Sequence, residues 1–271
     1  MTYKAAFESI NADRQKALWL LEKATGFSGT QLRLIDEGLE LNPEAGRKFA
    51  DMLEQSRRHV PIQYILGSWD FMGLPMKCRP GVLIPRADTE ILAEEAVSFL
   101  QNFPGNPVVL DLCTGSGCVG ISVAHFCPNA RVNAVDIDPL ALELSRENAV
   151  LNGVQDRMDF VRSNLFEEIE GHFHCITANP PYIPSGDIAG LAEEVKQEPV
   201  LALDGGSDGM EFYRTIVPEC RGYLKPKGGL FLEVGADQGK AVAEMMKAHD
   251  FRGVMIIKDL EDRHRVVRGF L

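Results

Sequence analysis

The sequence predicts an α/β protein. A doubly wound, mostly parallel seven-stranded sheet with its last strand antiparallel follows a small N-terminal helical domain and a hairpin-like connector. From residue 107 onward, short apolar runs alternate with helical patterns, the mark of parallel strands covered by helices on both faces. The last two apolar runs leave no room for a helical crossover, so they pair antiparallel. Residues 1 to about 60 carry helical spacing only.

A chain of 271 residues fits one large domain, or a medium domain with a smaller one. Hydrophobic residues at 45% and charged residues at 25% allow a packed core. The net charge of −11 argues against sequence-independent binding to nucleic acid, which rests on Lys/Arg–phosphate contacts, while leaving room for a local basic patch. The six cysteines, at 78, 113, 118, 127, 175 and 220, form no CxxC and no zinc-spaced cluster. Several sit in apolar runs, where a thiol packs as a small hydrophobe. The expectation is a reduced, cytoplasmic protein without a bound metal. No signal peptide is visible, and no apolar run approaches the ~18–20 residues that span a bilayer, so no membrane partner is expected.

In chain order, "KALWLLEKATG" puts Ala17, Leu18, Leu20, Leu21 and Ala24 on a helical stripe that stops at Gly26. "LNPEAGRKFADMLEQSRR" offers Asn42 as N-cap, Pro43 at the first helical position, and Phe49, Met52 and Leu53 on one face. No catalytic cluster appears in residues 1–60, which read as a packing or partner-binding domain. Residues 61–87, "PIQYILGSWDFMGLPMKCRPGVLIPRA", break into short apolar runs between Gly and Pro, a hairpin-like connector. Residues 88–271 form the main domain. It opens with the helix "DTEILAEEAVSFLQNF", capped by Asp88 or Thr89, with Glu90 and Glu94 near its positive end. Strands follow at "PVVLDLC", "ARVNAVDID", "MDFVRS", "FHCITAN", "GGLFLEVG", "GVMIIKDL" and "RHRVVRGFL". Helices lie at "GCVGISVAHF", "PLALELSRENAVLNG", "GMEFYRTIVPECRGYL" and "KAVAEMMKAHD".

"VLDLCTGSGCVG" sets Gly115 and Gly117 directly after the first strand of the sheet, where glycine lets backbone approach a ligand and turn into the next helix. With Gly120 the run formally matches G-x-G-x-x-G, a weak signal alone. Asp136 ends the next strand, nineteen positions past Gly117, and can accept both hydroxyls of an adenosine ribose. The plainer reading is a structural turn and a helix-capping Asp. Asp138, followed by Pro139, is the better cap and frees Asp136. NAD and S-adenosylmethionine (AdoMet) share this geometry, and the glycines do not choose between them. Asp111, a carboxylate beside the ligand, leans toward a cationic sulfonium over a pyrophosphate.

"ITANPPYIPS", residues 176–185, leaves the fourth strand of the sheet at its carboxyl edge, beside that crevice. The Asn179 side chain offers a carbonyl acceptor. The Pro180 carbonyl is a second one, with no N–H following because residue 181 is also proline. Two fixed acceptors grip both hydrogens of a planar NH2 group, aim its nitrogen lone pair and favour developing positive charge. Tyr182 offers a flat face for stacking an amide or a base. Alignment then carries much of the catalysis. A Pro-rich turn with a packed tyrosine is the plainer alternative.

Asp/Asn-Pro-Pro-Tyr/Phe is the signature of amino-methyltransferases acting on adenine, guanine or glutamine side chains. With "PIQYILG", "LIPRADTE", "DLCTGSG", "NPPYIPS" and "LALDGGSDGMEFYR" in this order, the chain resembles the HemK/PrmC family, which methylates the glutamine of the GGQ tripeptide in peptide-chain release factors. The match runs from about residue 60 to the C-terminus, and the helical N-terminus fits the family's release-factor-binding domain in kind. The resemblance implies an AdoMet-dependent methyltransferase fold, with cofactor contacts from Thr114, Gly115, Ser116, Gly117, Asp136 and Asn179. It sets Leu165, in "SNLF", against the adenine, and it gives Asn179, Pro180, Pro181 and Tyr182 to the glutamine, with Asn179 and Pro180 catalytic. Cys113 stands where the family's loop has glycine, and Asn164 where an acidic residue is more usual. Arg86, in "LIPRADTE", reads as a ligand-side residue or as a helix-entry charge.

Two other readings compete. A nucleic-acid amino-methyltransferase of the adenine N6 type shares the NPPY grip but calls for a basic face and a target-recognition domain, against which the acidic charge and short N-terminal domain weigh. A non-catalytic AdoMet-fold binding module predicts damage to the Asn or to the glycine loop, and both are intact.

Overall fold

The computed structural model describes residues 1–10, 13–101 and 103–271. They divide into two units, Met1–Ser68 with Ala192–Gln197, and Trp69–Leu191 with Glu198–Leu271.

The first unit is helical: α1 (Tyr3–Glu8), α2 (Arg14–Thr25), α3 (Gly29–Leu34), α4 (Pro43–Arg57) and α5 (Ile62–Leu66). Gly26 ends α2 with φ 74°, a left-handed closing residue. Asn42 caps α4 by accepting the Ala45 N–H at 2.8 Å, an interaction worth about 1 kcal/mol. Leu18, Leu20 and Leu21 of α2 and Phe49, Met52 and Leu53 of α4 are all buried. Helix α5 corrects the expected connector, because "PIQYIL" is helical and residues up to 68 belong to this unit. Its Pro and Gly sit at the two ends of a helical turn. The Pro61 carbonyl accepts from Tyr64 and Ile65, and Gly67 closes the helix at φ 73°.

A two-stranded hairpin follows, β1 (Ser68–Phe71) and β2 (Leu74–Lys77). Its turn places Met72 and Gly73 both at positive φ, the twist that suits a tight hairpin. Helix α6 (Ala87–Gln101) starts before both residues expected to cap it. Asp88 instead pairs with Arg265 at 3.0 Å, and the buried Thr89 is engaged elsewhere, as described below. Asn102, near the end of the segment read as this helix, lies outside the described residues.

The main sheet comprises β3 (Val108–Leu112), β4 (Arg131–Asp136), β5 (Met158–Arg162), β6 (Phe173–Ala178), β7 (Leu224–Glu233), β8 (Arg252–Lys258) and β9 (His264–Phe270), in the order β5-β4-β3-β6-β7-β9-β8. The strands from β3 to β7 pair parallel, and β9 runs antiparallel to both its neighbours. Helices α7 (Cys118–Phe126), α8 (Pro139–Leu151), α9 (Glu211–Glu219) and α10 (Gly239–Ala248) connect them. Alternate strand residues enter opposite apolar layers. Val109 and Phe231 join one with Leu92 and Ala96 of α6, while Leu110, Leu230 and Leu232 join the other with Tyr213 and Val242. Among the described residues no helix is long and apolar enough to cross a membrane.

The chain lays β4 and β5 on one side of β3 and then returns to place β6 on the other, so the order reverses at β3. Ligands of such sheets bind outside the carboxyl ends of the strands at this switch. Leu112 pairs with Val135 of β4 and with Ala178 of β6, which brings the glycine loop, Asp136 and Asn179 to one edge.

Candidate active site

The loop after β3 winds through positive φ at Cys113 (54°), Gly115 (55°) and Gly117 (85°). A Cβ on Gly117 would stand 2.2 Å from the Ser145 Oγ, so the turn into α7 admits only glycine there. A Cβ on Gly115 would meet nothing within 4 Å, and its backbone faces an open cleft. Asp111 anchors the loop. Its Oδ2 accepts the Thr114 hydroxyl at 2.6 Å and the Gly120 N–H at 3.1 Å, and its Oδ1 accepts the Thr177 hydroxyl at 2.7 Å. Burial pushes its carboxyl up to about 6 against these bonds. Both Asp111 oxygens are thus engaged by the protein. What it can offer a ligand is its charge, the role expected of it, and not a free hydrogen-bonding oxygen. Thr114 and Ser116 are buried as well, the former on Asp111 and the latter with its carbonyl accepting from the Asn148 amide at 2.9 Å. Both border a smaller cleft with Gly115, whereas Gly117 lines neither cleft and serves the turn.

Asp136 Oδ2 accepts the Gly115 N–H at 2.9 Å and its Oδ1 accepts the Asp138 N–H at 3.0 Å. Burial raises its pKa, and these two N–H bonds oppose the shift. Asp138 caps α8 through the Leu140 N–H at 2.9 Å, the division of labour expected from Pro139. Gly115, Asp136, Leu165 and Asn179 line one open cleft. Leu165 sits at φ 49°. With Cys113 it makes two non-glycine residues of this cleft held in the left-handed region, each costing ~1–3 kcal/mol, the kind of strain that collects at ligand sites. Burial raises the pKa of the Cys113 thiol. Asn164 also lines the cleft. Its Nδ2 donates to Glu167 Oε1 at 2.7 Å, which leaves its carbonyl as the free end, an acceptor like the acid it replaces.

The NPPY run is held from three sides. Asn179 Nδ2 donates to Thr89 Oγ1 at 3.1 Å, so its Oδ1 is the end left for a ligand. The Tyr182 hydroxyl donates to Glu233 Oε1 at 3.5 Å, and the Tyr182 carbonyl accepts from Gln238 Nε2 at 2.9 Å. The segment "LALDGGSDG" packs directly beneath. A Cβ on Gly205 would lie 2.7 Å from Tyr182 Cα and 2.8 Å from the Pro181 carbonyl oxygen. Pro181 joins Asn179 in the wall of the large cleft, while Pro180 and Tyr182 line neither cleft. Arg86 borders the smaller cleft and pairs with the buried Glu198, which also accepts the Ile84 N–H at 3.0 Å, so it ties its loop down.

Thr89, Glu233 and Gln238 escaped the sequence reading. The "DTE" run had the composition of a helix cap, and "LEVGADQG" that of a strand followed by a turn. The available signal was an acid closing a strand buried throughout its second half.

Comparison with known proteins matches residues 91–200 to the family described as Methyltransferase small domain and residues 3–67 to that described as PrmC N-terminal domain. The release factor glutamine methyltransferase of Moorella thermoacetica is 39% identical over 228 residues, covering 83% of this chain and 80% of the relative. That of Geobacter sulfurreducens is 38% identical over 266 residues, covering 97% and 92%. A methyltransferase from Pyrococcus furiosus superposes with TM-score 0.53 at 18% identity, covering 83% of this chain and 98% of that one. A SAM-dependent methyltransferase from Agrobacterium tumefaciens gives 0.51 at 16%, covering 75% and 69%. These two structures share the fold.

Proposed function

The chain belongs to the release factor glutamine methyltransferase family, and on that footing we propose that it methylates the side-chain amide nitrogen, N5, of the GGQ glutamine in peptide-chain release factors. The methyl donor is S-adenosylmethionine, which when bound supplies an electrophilic methyl group on a sulfonium.

The cleft residues suit that cofactor. Asp136 presents a carboxylate for ribose hydroxyls, Gly115 exposes backbone, Leu165 gives an apolar wall, and Asn164 offers its carbonyl to an amino group. Asp111 keeps a negative charge in the adjoining wall, which favours a cation. Thr114, Ser116 and Gly117 shape the loop that carries Gly115.

The observation that carries the reading is the Asn179 amide, turned by Thr89 so that its carbonyl points away from its own anchor at the cleft edge. That carbonyl and the Pro180 carbonyl accept the two N–H bonds of the glutamine amide. The grip presents the nitrogen lone pair and stabilises positive charge as it develops. Pro181 fixes the backbone that aims the Pro180 carbonyl. Tyr182, locked by Glu233 and Gln238, holds the rim of the site. The helical unit is assigned to docking the release factor, a protein partner that needs no direct contact with nucleic acid. A cytoplasmic setting follows from this substrate.

The test is methylation of a purified release factor with labelled AdoMet, mapped by mass. Asn179→Ala should lower single-turnover methylation by ~10²–10³ while leaving AdoMet affinity close to wild type. Asn179→Asp should be milder, since a carboxylate still accepts. Near-normal chemistry in Asn179→Ala would reduce NPPY to a rigid turn and end this reading.

A further inference from the structure

We propose that Gln238 is a positioning residue of the methyl transfer, whose side-chain amide clamps the loop after β6 and so sets where the Pro180 carbonyl aims. The proposal rests on the glutamine-methylating reading above. It extends that reading to a residue that lines neither cleft.

The NPPY run is stiff in its middle. Pro180 and Pro181 have fixed φ, and Asn179 and Pro180 each precede a proline, which restricts their ψ to extended values. The soft torsions are left at the two ends. At the first end, Ala178 is held in β6 between Leu112 and Leu232. At the second, the loose joint lies between Pro181 and Tyr182. Just past that joint, the Tyr182 carbonyl accepts from Gln238 Nε2 at 2.9 Å. A stiff run fixed at both ends has one direction, and the Pro180 carbonyl aims with it.

The Gln238 amide can bind in only one sense. Its Oε1 accepts the Gly235 N–H at 2.9 Å, and a backbone N–H can only donate. The NH2 end therefore faces the other way, where it donates to the carbonyls of Tyr182 at 2.9 Å and Gly209 at 3.0 Å. The Tyr213 hydroxyl adds a longer contact to Oε1, at 3.5 Å. One side chain thus joins the NPPY loop, the segment ahead of α9 and the turn after β7. The space around it is closed to other side chains. A Cβ on Gly209 would stand 2.3 Å from the Tyr182 carbonyl oxygen and 2.6 Å from Gln238 Nε2, and one on Gly235 would stand 2.9 Å from Gln238 Oε1. Gln238 occupies the N-cap position of α10, yet its side chain does not cap that helix. Its amide is committed to the loop instead. Without the NH2, the Tyr182 and Gly209 carbonyls would face each other with no proton between them, and the loop would shift at its soft joint.

Gln238→Glu keeps the shape and the acceptor for Gly235, and it puts a carboxylate oxygen where both protons were donated. The full-length enzyme is assayed by single-turnover methylation of a purified release factor, with the Michaelis constant for the factor measured beside it. Calorimetry gives AdoMet affinity and stoichiometry. Turnover should fall about ten- to hundredfold, the range for buried polar groups left without partners. The Michaelis constant, AdoMet affinity and stoichiometry should stay at wild-type values, and full stoichiometry shows that the slow enzyme is folded. Gln238→Asn keeps the amide but draws it back by one methylene, so its turnover should lie between the two. Wild-type turnover in Gln238→Glu, beside an inactive Asn179→Ala, overturns the clamp alone. An active Asn179→Ala instead sinks the underlying reading of the site. If Gln238→Glu does not fold, Gln238→Asn decides, and wild-type turnover from it overturns the clamp. Turnover and AdoMet stoichiometry lost in parallel, or a failure of both variants to fold, would make Gln238 a residue of the fold and not of the reaction.

Discussion

At Asp136, one side chain joins the sequence motif to the cleft. It ends β4, braces the Gly115 N–H and still borders the open volume. Asp136→Ala should weaken AdoMet binding by ~1–3 kcal/mol, the usual loss for hydrogen bonds to a charged group. Calorimetry showing wild-type affinity would take the ribose away from this residue. Gly115, Asp136, Leu165 and Asn179 were legible beforehand because each sits just past a strand end, and strand ends at the switch point share an edge. Thr89 and Glu233 were not. Their meaning depends on α6 and β7 packing beside the loop after β6, with 90 residues of chain separating Thr89 from Asn179. Asp111 was half legible. Its position and charge were apparent, but not that three donors from its own loop, α7 and β6 hold its oxygens.

Between elements, the loop after β6 stands on the segment that precedes α9. Ile183 N–H bonds the Leu203 carbonyl at 3.0 Å, and Gly205 N–H bonds the Ile183 carbonyl at 2.8 Å, so "NPPYI" and "LALDGG" run as a short ladder. At Gly205 the two backbones leave no room for a side chain. Gly205→Ala should cost ~1–3 kcal/mol of stability, as overpacking does, and should lower turnover more than AdoMet affinity because it displaces Pro181 and Tyr182. Gly186→Ala, whose Cβ would meet nothing within 4 Å, is the matched control and should be neutral. Equal melting temperatures for the two variants would show that the loop has slack there. The central strands were legible because both faces are buried and the runs are short. The helix boundaries were less so. Asp88 and Thr89 have capping chemistry, yet tertiary partners in Arg265 and Asn179 claimed them, and "PIQYIL" carries the same punctuation whether it makes a turn of helix or a strand.

For the molecule as a whole, the chain contributes residues 192–197 to the helical unit and returns to the sheet unit at Glu198. This excursion was invisible in a sequence read as consecutive blocks, since a six-residue piece carries no periodicity of its own. The division predicts what each unit does alone. Both apolar layers of the sheet draw only on residues from Phe71 onward, so the sheet unit owns its core. A chain that starts at Trp69 should therefore fold and bind AdoMet with unchanged affinity. A cut at residue 60 is the poorer choice, since it strands α5 and the buried Ile62 without the helices of their own unit. What the truncated chain should lose is the release factor. Removing one docking surface forfeits at least one anchoring contact of ~1–2 kcal/mol, so the Michaelis constant for the factor should rise about tenfold or more. A short glutamine peptide, which has nothing to offer the helices, should be methylated equally by both forms. The comparison separates docking from chemistry. A truncated enzyme with a normal Michaelis constant for the factor would assign the helices some other task, and one that fails on the peptide too would mean that the sheet unit needs them to complete its site.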